Sequence, residues 1–91
     1  MKQTIYFIKG GVGMTSIEAK AIIAKLGLTG KKFSSILSAN TNYVSNFNRV
    51  GVPQNIGILL RLSEKLLERG ASKEEIITLI KEEVEAFSVP F

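Results

Sequence analysis

Apolar residues recur along most of this chain with the period of amphipathic helices, while its start has strand chemistry. Residues 4–8 (Thr-Ile-Tyr-Phe-Ile) are β-branched and aromatic and lead into Gly10-Gly11-Val12-Gly13, which predicts a short strand and a glycine loop. Thr15-Ser16-Ile17-Glu18 has the form of a capping box, and Ala19, Ile22, Ile23 and Leu26 form the stripe of the helix that follows, which Gly27 stops. Thr29 suits the N-cap of a second helix over about 30–37, with Leu28 able to staple onto Phe33. Ser38-Ala39-Asn40 reads as a tight turn, and Asn40 as the cap of a third helix running to about Arg49, with Ala39 stapling onto Val44.

Pro53 suits the first turn of a fourth helix with apolar positions Ile56, Leu59, Leu60, Leu62, Leu66 and Leu67. Gly57 inside it costs about 1 kcal/mol against Ala, a cost that close packing would explain. Gly70 reads as a helix-ending residue and Ser72-Lys73-Glu74-Glu75 as a second capping box. The fifth helix then buries Ile76, Ile77, Ile80, Val84 and Phe87. The expectation is a mostly α domain of five helices with one short N-terminal strand. Residues 1–91 form a single domain: strand and loop over 1–14, a helical bundle over 15–70, and a C-terminal helix with an extended tail over 71–91.

Composition narrows the chemistry. The 91 residues include no Cys, His, Trp or Asp, which excludes thiol chemistry, zinc fingers and any His-based triad; the Glu residues read as helix-surface acids, so no enzyme site, metal or cofactor is expected. No run approaches a membrane span, no secretory pattern opens the chain, and a cytoplasmic protein is expected. The net charge of +4 is unevenly spread: residues 1–53 carry seven Lys and Arg against Glu18 alone, a net +6, whereas 54–91 carry five against seven Glu, a net −2. A basic first half suits a polyanionic partner.

Lys9-Gly10-Gly11-Val12-Gly13-Met14-Thr15 resembles the deviant Walker A loop of partitioning-type ATPases. Met14 replaces the lysine that reaches the phosphates, no Asp is present to hold the metal, and one strand offers no parallel sheet. No nucleotide is therefore expected; what is left for the loop is to join a strand to a capped helix or to offer N–H groups to a DNA phosphate.

The more specific pattern lies in residues 30–49. Phe33 and Leu37 share one face of one predicted helix, Val44 and Phe47 share the inner face of the next, the turn between is three residues long, and small Ser34 permits close approach. With flanking Lys25-Leu26-Gly27-Leu28-Thr29 and the Arg49–Pro53 loop before a Leu-rich helix, about residues 16–70 resemble the phage-repressor-like helix-turn-helix family of Cro and lambda-repressor type (XRE). Ser38 stands where that family's turn usually has Gly, and Gly30-Lys31-Lys32 where its helix often starts with Gln.

The resemblance implies sequence-specific binding of double-stranded DNA, as a transcriptional repressor acting as a homodimer, with the start of the third helix at base edges. Four Asn in nine positions are poor for helicity but suit adenine edges, and Ser and Thr suit several bases. Thr41, Asn42, Ser45 and Asn46 are the expected base contacts; Lys31, Lys32, Asn40, Tyr43 and Arg49 are the expected phosphate contacts. Lys31 and Lys32 oppose the dipole at a helix start, a cost that nearby phosphates would explain. Strand 4–8, needing a partner for its backbone, would pair with the tail or with its symmetry mate, helped by the fifth helix. The alternative is a protein-binding adaptor that uses the same bundle.

Overall fold

The computed structural model describes residues 13–87. The expected strand at 4–8, most of the glycine loop and the 88–91 tail lie outside them. Among the described residues the fold is all helical, with no strand: α1 (Ser16–Lys25), α2 (Gly30–Ile36), α3 (Phe47–Val50), α4 (Gln54–Glu68) and α5 (Lys73–Phe87). α1 packs along α4, and α5 lies against both α4 and α2.

The helix ends follow side-chain chemistry. The Glu18 N–H donates to Thr15 Oγ1 at 3.1 Å while Glu18 Oε1 accepts the Thr15 N–H at 2.9 Å, the complete capping box. That N–H is the main cause holding the Glu18 carboxyl below its ordinary value. The cap's contribution is therefore present above the ordinary carboxylate range and falls away as pH drops through the lowered value. Thr29 caps α2 by accepting the Lys32 N–H at 3.1 Å, and Ser72 caps α5 by accepting the Glu75 N–H at 3.0 Å.

α1, α2 and α4 each close with the same left-handed motif, in which two N–H groups beyond the helix reach back to its last carbonyls. Leu28 donates to Ile23, Ala39 to Ser34 and Ala71 to Leu66, at 2.9–3.1 Å. The residue that turns left-handed is Gly27 (φ 78°) after α1, Gly70 (φ 100°) after α4, and Ser38 (φ 59°) after α2. Ser38 is the one described non-glycine with positive φ, so the turn keeps its shape at the expense of Cβ strain.

The core joins every helix: Ala19, Ile22, Ile23 and Leu26 of the first stripe, Phe33, Leu37, Val44 and Phe47 of the two-helix pattern, Ile56 and Leu60, and Ile76 and Ile80. Leu59, Leu67 and Val84 pack partly against it.

One expectation is corrected here. The third helix does not run from Asn40 to Arg49: 41–46 are successive turns and only Phe47–Val50 is α-helical. Asn40 Oδ1 accepts the Asn42 N–H at 2.8 Å, and the Asn42 carbonyl takes both the Asn46 N–H at 3.0 Å and the Ser45 hydroxyl at 2.9 Å. The Ser45 hydroxyl shares the Asn42 carbonyl with the backbone ladder, and three- and four-residue turns are mixed over 40–50. In α4, Leu62 is 55% exposed and Leu66 40%, so its leucines are not all core.

Gly57 also lacks the tight packing that would explain it. A Cβ there would meet Met14 at 3.6 Å, an ordinary contact. Gly57→Ala is expected to raise stability by about 0.5–1 kcal/mol through helix propensity. Ser38→Gly is expected to raise it by a similar amount, about 0.5–1 kcal/mol, by removing the Cβ strain. Urea denaturation of each variant measures both.

Candidate nucleic-acid interface

The surface built on α2 and the following turns depends on how closely those two pieces of backbone approach. Ser34 is fully buried; its hydroxyl donates to the Gly30 carbonyl at 2.8 Å and its oxygen faces the Val44 N–H at 3.4 Å. A Cβ on Gly30 would lie 3.2 Å from Val44 Cγ1. Glycine and serine therefore leave room for Val44 to seat against α2, beside Phe33 and Leu37. Tyr43 crosses Phe47 edge to face, with ring centroids 5.3 Å apart, which ties the turns to α3.

With Val44 and Phe47 turned inward, Thr41, Asn42 and Ser45 are left exposed. They line one cleft of about 440 Å³ together with Lys31 at the start of α2 and Lys20 on α1. Ile23, Leu28 and Val44 contribute apolar lining, and no acidic side chain lines it. The cleft is thus lined by hydroxyl and amide groups, which donate and accept, and by two lysines. That combination suits an anionic ligand with hydrogen-bonding edges.

The other candidates separate. Lys32 lines a different cleft, between α2 and α5, with Lys81, Glu82 and Glu85. Adjacent residues on a helix point about 100° apart, so Lys31 and Lys32 serve two surfaces. Asn46 is half-buried and stands outside the Thr41–Asn42 cleft, its carbonyl accepting the Arg49 and Val50 N–H groups. Asn40 is exposed, but its side-chain oxygen is bound to the Asn42 N–H. The half-buried Tyr43 packs on Phe47, and burial raises its phenol above the ordinary value. Arg49 is exposed on α3, outside the cleft.

Lys20 was missed by sequence reasoning. It sits on α1, and only the packing of α1 beside the 41–45 turns brings it to the cleft; no local signal marks it.

Among the described residues no group of three or more acids could hold a metal, and no helix is long and apolar enough to cross a membrane. Comparison with protein-family models, with curated proteins and with solved structures finds no match.

Gly30→Ala tests the close approach directly. Ala is the better helix former, yet the added methyl must push on buried Val44. The variant is expected to lose about 1 kcal/mol rather than gain it, read from its denaturation midpoint.

Proposed function

We propose that this protein is a DNA-binding domain of helix-turn-helix type, a transcriptional repressor that reads double-stranded DNA with the turns after α2. The observation carrying the reading is the acid-free cleft that Thr41, Asn42 and Ser45 line together with Lys20 and Lys31. Short polar side chains pair with base edges, Asn with adenine above all, and flanking ammonium groups neutralise phosphates. The basic excess of the first half has the same sense.

The irregular turns change the expected docking. A four-residue α3 is too short to lie along a groove, so the 41–45 turns and not a long helix carry the base contacts of Thr41, Asn42 and Ser45. Lys20 and Lys31 are the phosphate contacts of this cleft. Arg49, Asn40, Asn46, Tyr43 and Lys32 stand outside this cleft and take flanking roles.

A protein-binding adaptor is the second reading, favoured by the exposed apolar residues of α4 and α5. Salt separates the two, because phosphate neutralisation releases counterions and side-chain packing does not.

Fluorescence anisotropy with a random duplex is expected to show binding that weakens steeply with salt. Lys20→Ala and Lys31→Ala should each weaken binding uniformly across sequences and lower the log–log salt slope by about 1. Affinity that neither variant changes would contradict the assignment of this cleft.

A further inference from the structure

α4 carries an open groove of about 600 Å³ that shares no lining residue with the Thr41–Ser45 cleft. Its lining from α4 is Gln54, Gly57, Ile58, Arg61, Leu62 and Lys65, spaced three or four residues apart along one face. That face runs for three turns, about 16 Å at 1.5 Å per residue. Met14 walls it from the start of α1, and Val52 and Pro53 lie where α4 begins. Gly57 stands in the middle of this face, between Ile58 and Leu62, each 55% exposed, and Met14. It costs helix stability, and no packing within the described residues requires it: only Met14 would meet a Cβ there, at 3.6 Å. What the missing side chain does provide is bare backbone on the groove floor, where a ligand's backbone can come close.

The walls are apolar and basic. Arg61 and Lys65 are the charged residues of the lining, and no acidic side chain joins them. The acids nearby are engaged elsewhere. Glu18 acts on Arg61, but its Oε1 already accepts the Thr15 N–H at 2.9 Å, and Glu64 takes a 2.6 Å ion pair from Lys25. Two cations beside exposed Ile58 and Leu62 complement carboxylates beside apolar side chains. The shape selects among peptide conformations. No strand exists among the described residues to accept an added one, whereas a groove along three turns of helix suits a second helix laid into it.

We infer that the α4 groove docks an acidic amphipathic helix of a partner protein, its apolar face on Ile58 and Leu62, its backbone over Gly57 and its carboxylates at Arg61 and Lys65. The inference does not rest on the nucleic-acid reading, because the groove is separate from the 41–45 cleft and its ligand is measured without DNA.

An NMR titration of the labelled full chain tests it, with a synthetic helical peptide of about five turns that carries Leu at every third or fourth position and Glu on both flanks. Amide shifts are expected to cluster at Met14, Gly57, Ile58 and Leu62. The same peptide with Lys in place of Glu should bind at least about tenfold more weakly. Gly57→Gln puts a good helix former on the groove floor: it should fold at least as stably as wild type, yet bind the Glu peptide at least about tenfold more weakly. Arg61→Glu/Lys65→Glu should reverse the preference and bind the Lys peptide better than the Glu peptide, an outcome that misfolding cannot mimic. No shifts, shifts centred on residues 41–45, a Gly57→Gln protein that binds like wild type, or equal binding of the two peptides would overturn it. So would nuclear Overhauser contacts from residues 5–8 to Ile58 and Leu62, which would make the start of this chain the occupant.

Discussion

The close approach of α2 to the turns that follow it is the constraint on which the rest depends. Two small residues permit it. Gly30 presents no Cβ to Val44, and Ser34, fully buried, turns its hydroxyl to the Gly30 carbonyl and its oxygen to the Val44 N–H. Phe33, Leu37, Val44 and Phe47 then close over one another with almost no exposed surface. Because Val44 and Phe47 are drawn inward, the residues between and before them have no core to enter, and their polar side chains are presented outward. The same packing brings the 41–45 turns beside α1. The left-handed Ser38 belongs to this constraint too: the chain must reverse there to return along α2, and it does so despite a Cβ that disfavours the turn.

Much of this was legible in the chain, for identifiable reasons. Caps are local chemistry, so Thr15–Glu18, Thr29 and Ser72 announce three helix starts, and Gly27 and Gly70 two ends. The stripe at Ala19, Ile22, Ile23 and Leu26 keeps a strict helical period and is wholly buried. The third helix was not legible, because periodicity reports which residues face inward but not whether the ladder between them survives. Val44 and Phe47 are three apart in a helix and also in these turns, so both put the same two residues inward. In α4, a leucine-rich helix packed on two neighbours still has a third side, and Ile58, Leu62 and Leu66 are exposed there.

The candidate site was partly legible for the same reason. Thr41, Asn42 and Ser45 stand out as polar residues beside apolar anchors, and the structure gathers them in one cleft. Their cationic neighbours were not equally visible. Lys31 and Lys32 look equivalent as a pair in sequence, but consecutive residues cannot share a helix face, and the two divide between clefts. Lys20, eleven residues earlier than Lys31 in the chain, reaches the cleft only through tertiary packing. The resulting cleft is cationic and has no acidic lining.

The central claim is that the cleft around the 41–45 turns is where a duplex binds. An amide-resolved NMR titration of the labelled full chain with a random duplex at low salt tests it most directly. The account predicts that the shifted amides cluster at Lys20, Lys31 and residues 41–45, with the α2–α5 cleft unaffected. Shifts centred on Lys9–Thr15 or on the α2–α5 cleft, or no shifts at all, would contradict it.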